Sequence, residues 1–319
     1  MQVEAASSPS RGRALLALLL VTVIWGWSFP WMKQALLEAE RLRGRSGGLE
    51  VVALFMLLRF GVAGAVLALV QPASRRDWDA GTIRGGVLLG VLLLAGFTLQ
   101  MLGLDEVSPA ASAFLTSLYV VFSALMVAAL QRARPRASLL AGVGLATLGA
   151  GFISGPPQLA FGRGEWLTVG CAVAFAAQIL ATDVVTRRHS ALAANLVSFV
   201  TVAAGSALLL VGSGALADRS QARDLGALLG DRGFLQPLLL SIVFATCIAL
   251  PLAMVHQKVL DPVRAAVLYA LEPVWAALIA QGLGMGRVDR WLLLGGGALL
   301  AGNLIAELGP RLRRTVPGG

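Results

Sequence analysis

The chain has 319 residues, of which 57% are apolar and only 13% charged, with a net charge of +9 and a mean hydropathy of +0.78. An ordinary soluble domain carries about 25% charged residues, so this chain has too few to cover a globular surface. Its two cysteines exclude a disulfide scaffold, and its two histidines give no basis for a histidine metal cluster. The composition is that of a protein whose solvent is mostly lipid.

The basic residues are scattered in ones to threes between long apolar runs. They lack the interleaved aromatic residues that are typical of a surface for single-stranded nucleic acid. We therefore expect no nucleic-acid partner, and we assign the positive charge to membrane topology.

Ten apolar stretches have about the 20 residues that a helix needs to cross a bilayer. They are apolar on all faces, which favours helices over the alternating strands of a barrel. The first stretch is too long for a signal peptide, so we expect it to remain as a helix. The predicted fold is an all-α integral membrane protein with spans at about 14–36, 50–71, 83–104, 108–130, 137–155, 165–186, 190–213, 235–258, 262–284 and 290–309.

Lysine and arginine in the short loops predict the orientation of these spans. With the N-terminus inside, 15 of these residues fall on the cytoplasmic side and 10 on the outer side. The sequence thus predicts a multi-pass protein of the cytoplasmic membrane. Both ends, residues 1–12 and 311–319, are predicted to be short cytoplasmic tails.

The two halves of the chain resemble each other when the sequence is shifted by 153 residues. The matched pairs include Pro109 with Pro262, Gly142 with Gly295 and Gly149 with Gly302. Because a unit of five spans is odd, two tandem copies cross the membrane in opposite directions. Inverted repeats of this kind support alternating access around a site near the midplane. We therefore predict two inverted five-helix repeats, over 13–156 and 163–310.

Three short motifs point to a known family. They are Ile24-Trp25-Gly26-Trp27-Ser28-Phe29 in the first span, Leu58-Arg59-Phe60 in the second and Leu271-Glu272-Pro273-Val274 in the ninth. Together with ten spans and a duplication, they resemble the EamA family of the drug/metabolite transporter superfamily. The resemblance implies an inner-membrane permease or exporter of small metabolites such as amino acids, with a cavity between the two halves.

Arg59 and Glu272 lie deep in predicted spans, where inserting an ionisable group costs about 2.5–3.5 kcal/mol. Arg59 either binds a substrate carboxylate or clamps neighbouring helices. Glu272 precedes Pro273, which distorts the helix, and Tyr119 occupies the equivalent repeat position. Glu272 is the candidate for proton coupling or for binding a substrate amine, with a helix-locking hydrogen bond as the alternative. A pairing of Arg59 with Glu272 across the two halves is a further hypothesis.

Other candidates for the cavity are polar or aromatic residues at similar depth. Trp25 and Ser28 share a helix face, and Tyr269, Glu272 and Trp275 recur at every third position. This second stripe suits amphipathic or cationic substrates, or it serves packing alone. The full set of cavity candidates is Trp25, Ser28, Arg59, Gln100, Tyr119, Gln178, Tyr269, Glu272 and Trp275.

The sequence has no His-Glu-x-x-His helix, no P-loop and no Gly-x-Ser-x-Gly elbow in a suitable context. We therefore expect that the protein is not an enzyme and that it binds no cofactor and no metal. A membrane-embedded enzyme and a lipid-handling protein without solute transport are the alternatives. The expected partners are a small-molecule substrate and the lipid bilayer, and the oligomeric state is left open, a monomer included.

Overall fold

The computed structural model of the chain describes residues 11–75, 78–132, 134–153, 155–156, 161–257 and 268–312. Across these residues the chain forms helices and turns and no strand, which confirms the predicted all-α class. Seven helical segments of the described chain are long and apolar enough to cross a membrane. Two shorter apolar helices, Ala137–Ala150 and Arg290–Ala306, accompany them.

The helices of the two halves follow in chain order. The first half contains α1 (Arg11–Arg43), α2 (Gly48–Val70), a 3-10 turn (Pro72–Arg75), α3 (Ala80–Glu106), α4 (Pro109–Thr116), α5 (Tyr119–Leu130) and α6 (Ala137–Ala150). The second half contains α7 (Arg163–Arg188), α8 (Ala191–Gly212), α9 (Arg219–Leu228), α10 (Arg232–Leu240), a π-helical segment (Ser241–Ile248), α11 (Ala249–Gln257), α12 (Glu272–Gly282) and α13 (Arg290–Leu312).

The predicted span 108–130 is not one continuous helix, because a turn at Ser117 and Leu118 separates α4 from α5. Asn303 on α13 is buried, and its Nδ2 donates hydrogen bonds to Ser117 O at 3.1 Å and to Ser117 Oγ at 3.0 Å. A break in a helix frees backbone carbonyls that need a donor. A polar side chain from a distant helix, and not a proline, therefore stabilises this break.

The second half breaks at the equivalent place. A turn at Ala270 and Leu271 precedes α12, 153 residues after the turn between α4 and α5. Here Pro273 contributes, since it lacks the N–H that would continue the helix ladder. Residues 258–267, the link to α11 and the first part of the predicted span 262–284, lie outside the described residues. The two halves share an irregularity as well as a sequence pattern.

The predicted span 235–258 is helical but widens in its middle. α10 continues into the π-helical segment, where Thr246 Oγ1 donates to Ser241 O, five residues earlier, at 3.1 Å. Wide turns inside α-helices are frequent at functional sites.

The last helices of the two halves, α6 and α13, pack together through glycines. A Cβ atom built on Gly142 would lie 2.6 Å from Gly302 O, and one built on Gly149 would lie 2.6 Å from Gly295 O. Because the partners follow in opposite order, the two helices are antiparallel. Gly142 is the repeat equivalent of Gly295, and Gly149 of Gly302. Each glycine thus contacts the equivalent of the other, which is the contact pattern of a two-fold relation.

Helix ends that the sequence assigns to the outer side lie together on one face, which we call the ionic face. Lys33 Nζ on α1 donates to the carbonyl oxygens of Leu104 and Asp105, both at 2.8 Å. Arg163 at the start of α7 pairs with Glu106 at the end of α3, at 3.1 Å. These contacts join the end of α3 to α1 and to the start of α7.

Two further contacts at the ionic face link the halves. Arg41 lies 3.6 Å from Asp231, and Arg45 donates to Gln221 Oε1 at 3.0 Å. Gln221 belongs to α9, whose N-cap is Asp218. Hydrogen bonds from the Ser220 side chain and from backbone N–H groups lower the pKa of Asp218 to about 2. The hydrogen bond from Arg45 to Gln221 therefore links α9 to the segment that follows α1.

Candidate functional site

Arg59 lies in the middle of α2 with only 1% of its surface exposed. Its Nε donates to Thr246 Oγ1 at 2.8 Å, and its Nη1 lies 3.6 Å from Met32 Sδ. The guanidinium carbon is 4.7 Å from the centre of the Phe97 ring and 5.4 Å from that of Phe60. No carboxylate among the described residues forms an ion pair with it. Aromatic faces and a hydroxyl thus surround this cation, and Arg59 contacts a helix of the other half.

Glu272 stands at the start of α12, directly after the second break. α12 packs closely on α1: a Cβ atom built on Gly26 would lie 2.6 Å from Trp275 Cβ and 3.2 Å from Glu272 O. Only glycine at position 26 allows this approach, because backbone atoms cannot give way. Within the part of the chain that the structure describes, the Glu272 carboxylate has no hydrogen-bond donor and no cation in ion-pair range. A carboxylate left this way inside a membrane is a candidate functional group.

Three neutral side chains lie within electrostatic range of the Glu272 carboxylate. They are Tyr119 at the start of α5, Cys171 on α7 and Tyr269 just before the second break. Tyr119 and Glu272 hold equivalent positions in the two repeats. The residues that follow the two breaks therefore lie near each other, and the site draws on both halves.

Aromatic residues complete this surrounding. Trp25 on α1 stacks on Tyr269, with ring centres 5.8 Å apart and an interplanar angle of 26°. The indole Nε1 of Trp275 is buried without a hydrogen-bond partner. Trp25, Tyr119, Tyr269, Glu272 and Trp275 are each half-buried, so they keep accessible surface. We call Trp25, Tyr119, Cys171, Tyr269, Glu272 and Trp275 the Glu272 site.

A short polar chain extends the Glu272 site towards α3. Gln100 Nε2 donates weakly to Thr116 Oγ1 at 3.4 Å, and Thr116 Oγ1 lies 3.8 Å from Cys171 Sγ. The Gln100 Oε1 acceptor is buried and has no donor. Sequence reasoning selected Gln100 but missed Thr116, Cys171 and Asn303. Threonine and cysteine are common in apolar helices, so Thr116 and Cys171 give no signal in the sequence. The role of Asn303 depends on the turn at Ser117, which the sequence does not predict.

Two of the cavity candidates, Ser28 and Gln178, form hydrogen bonds within their own helices instead. Ser28 Oγ donates to Trp25 O at 2.7 Å, one turn back. Gln178 Nε2 donates to Thr182 Oγ1 at 3.1 Å, one turn on. Both bonds are local, so neither residue is drawn into the Glu272 site by its hydrogen bonds.

Arg59 and Glu272 do not pair in this structure. Arg59 meets α1 at Met32, whereas the start of α12 meets it at Gly26. Six residues of helix separate the two points by about 9 Å along the axis. The electrostatic neighbour of Arg59 is Cys247, not Glu272. The interior therefore holds its positive and its negative group apart.

A pocket between α5 and α7 is lined by Met126, Ala129, Leu130, Ala177 and Leu180. Its lining is apolar and includes none of the nine cavity candidates. It is a different feature from the Glu272 site.

Apolar helices, a two-fold glycine contact and an ionisable residue at a helix break define a polytopic membrane protein with a polar interior. The model of the EamA-like transporter family matches residues 12–155 and 162–307. The chain belongs to this family, and the family membership points to transport rather than catalysis.

Two individual comparisons agree with this assignment. A protein of Archaeoglobus fulgidus described as an uncharacterized transporter is 29% identical over 178 residues, which are 56% of this chain. The match spans about half of that relative, 51% of its length. A crystal structure of another protein superposes with a TM-score of 0.59 at 20% identity, over 96% of this chain and 100% of the other. This last likeness supports the fold alone.

Proposed function

We propose that the protein is a secondary transporter of small metabolites such as amino acids in the cytoplasmic membrane. It works by alternating access between two inverted five-helix repeats. The structure supports this proposal with seven long apolar segments and the shorter apolar helices α6 and α13. The proposed tenth span is the predicted segment 262–284, of which the structure describes residues from 268 onwards.

The observation that carries the proposal is the exchange of partners between Gly142 and Gly302 and between Gly149 and Gly295. Equivalent helices that cross antiparallel in this way are expected of two repeats inserted in opposite directions. The equivalent breaks before α5 and α12 add a discontinuous helix to each repeat. Discontinuous helices line substrate sites in transporters of this construction.

The proposed coupling group is Glu272. Its carboxylate has neutral neighbours, and its backbone lies in the contact between α1 of the first repeat and α12 of the second. Binding a proton removes a charge that is costly in the interior. Protonation and substrate binding at one carboxylate then exclude each other, which links the movement of the two species.

Transport itself is tested with the purified full chain in liposomes. Metabolite profiles of medium from overexpressing and deletion cells first select the substrate. We expect that substrate to accumulate in liposomes chemically unchanged, and a proton gradient to drive the accumulation. Chemical conversion of the substrate would support a membrane-embedded enzyme, and the absence of flux for every profiled metabolite would contradict transport.

A further inference from the structure

We infer that the Glu272 site binds the ammonium group of its substrate and rejects anions that have no ammonium group. This inference rests on the proposed transport function and adds the charge class of the substrate. It depends on which charged groups the interior holds, where they lie and what surrounds each of them.

The interior parts of the spans are nearly free of ionisable groups. No Lys, Arg, His, Asp or Glu occurs in residues 14–32, 85–104, 107–131, 166–182 or 291–306. These segments form the inner parts of α1, α3, α4 with α5, α7 and α13. Among the described residues of these segments and of the segment that carries Glu272, the titratable side chains within electrostatic range of Glu272 are Tyr119, Cys171 and Tyr269, which are all neutral when protonated. Within the described part of the chain, the site thus has one negative group and no cation that pairs with it.

Arg59, the buried cation of α2, contacts groups outside the Glu272 site. Arg59 donates to Thr246 and lies against the rings of Phe97 and Phe60. It reaches α1 at Met32, six residues or about 9 Å of helix beyond Gly26, where α12 contacts α1. A substrate with a carboxylate and no ammonium group would therefore meet a like charge beside Glu272, and no cation among the described residues of the site offsets the repulsion.

The remaining groups of the site suit a cation. Trp25 and Tyr269 form a stacked aromatic pair, and aromatic faces attract ammonium groups. Gln100, whose Nε2 donates to Thr116 Oγ1, has in its Oε1 a buried acceptor without a donor among the described residues. An acceptor in this state costs free energy that an N–H donor of a ligand recovers. Carboxylate, aromatic faces and a free acceptor together describe a site for a protonated amine or quaternary ammonium ion.

The test uses the full chain in detergent and three probes that share one ring: benzylammonium, benzoate and phenylalanine. Binding is followed through tryptophan fluorescence, since Trp25 and Trp275 belong to the site. We expect benzylammonium to bind and benzoate not to bind. Glu272→Gln should weaken benzylammonium by about tenfold or more, the equivalent of a hydrogen bond to a charged group, while Glu272→Asp keeps part of the affinity.

Matched variants separate the site from its surroundings. Gln100→Leu should weaken benzylammonium a few fold, whereas Gln178→Leu, on a residue bonded to its own helix, should not. Arg59→Lys should leave the discrimination against benzoate intact. Binding of benzoate by the wild type, or full benzylammonium affinity in a folded Glu272→Gln protein, would overturn the inference.

A flux assay in liposomes tests the proposed transport function separately from the binding preference. Flux of benzoate without flux of benzylammonium or phenylalanine would uphold transport and overturn the ammonium selectivity. Ammonium binding that is lost in Glu272→Gln, without flux of any probe or metabolite, would uphold the site and contradict transport.

Discussion

Arg59 and Thr246 form a buried hydrogen bond of 2.8 Å that joins α2 of the first repeat to the π-helical segment of the second. Thr246 in turn donates to Ser241 O, so the hydroxyl is shared between the arginine and the wide turn. The positive group of the interior therefore holds together two helices from different halves.

This bond predicts the effect of small changes at position 246. Thr246→Val keeps the shape but removes the acceptor of a charged donor, and it should destabilise the protein by about 1.5–3 kcal/mol. Thr246→Ser retains the hydroxyl and should stay near the wild type. Thermal unfolding of the purified proteins measures the difference, and equal stability of the valine and serine variants would contradict the role of the bond.

Arg59 itself should be needed for transport. Arg59→Ala removes the guanidinium from a closed space, and we expect transport to be abolished at equal expression. Arg59→Lys retains some transport if the charge matters more than the two contacts to Thr246 and Met32. Wild-type flux in Arg59→Ala at equal expression would refute a role of Arg59 in binding the substrate.

The glycine contact between α6 and α13 predicts a steric effect. Gly302→Val places a Cβ atom within 2.5 Å of Ala146 N, where only backbone could move. Overpacking of this kind costs about 1–3 kcal/mol. Gly297→Val is the control, because a Cβ atom at Gly297 meets nothing within 4 Å. A thermal shift of the same size in both variants would show that helix propensity, and not packing, sets the cost.

Glu272→Gln should remove the dependence of transport on the proton gradient. The amide cannot exchange a proton, so uptake in liposomes is expected to become independent of an imposed pH difference or to stop. Asp183→Asn serves as the control, because Asp183 is exposed and bonded to Arg187 on its own helix. Full proton dependence in Glu272→Gln would exclude this residue as the coupling group.

Sidedness can be measured with single cysteines introduced at exposed positions. Arg163→Cys lies on the ionic face and Arg134→Cys in the loop that the charge bias assigns to the cytoplasm. A membrane-impermeant maleimide added to intact cells should label the first and spare the second. The reverse pattern would invert the proposed orientation of every span.

Asp218 predicts a pH effect confined to α9. Its pKa is depressed in the folded state to about 2, so its contribution to stability is present above the ordinary carboxyl pKa and is lost as the pH falls towards 2. Amide hydrogens of Ser220 to Leu228 should lose protection between about pH 5 and about pH 2. In Asp218→Ala their protection should be low at both values, and an unchanged pH response would assign the effect to another group.

Apolar length predicted where the helices lie because membrane spans need little more than continuous apolar residues. The length of an apolar run does not indicate where a helix contains an irregular turn. The break at Ser117 depends on Asn303, which is 186 residues away, and no local pattern announces such a pair. The break before Glu272 was easier to expect because Pro273 marks it. A π-helical segment in a membrane span has the same apolar composition as an α-helix. The hydropathy pattern therefore does not distinguish the two.

Depth alone singled out Arg59 and Glu272, and both lie in the interior. Whether two such residues share one site is a matter of tertiary arrangement. The contact of Arg59 with Met32 and of α12 with Gly26 places them on separate levels of α1. Gln100 and Gln178 looked alike in sequence, yet one lies in a polar chain and the other bonds within its own helix.

The two kinds of contact between the halves should respond differently to dissolved salt. Arg41 with Asp231 and Arg163 with Glu106 join the halves through partly exposed charges. Raising the ionic strength from 0.15 M to 1 M shortens the screening distance from about 8 Å to about 3 Å, which loosens such pairs. The glycine seam between α6 and α13 is held by close backbone packing and is indifferent to salt. Concentrated electrolyte should therefore shift the protein towards conformers in which the pairs of the ionic face are broken, with the glycine contact between α6 and α13 unchanged.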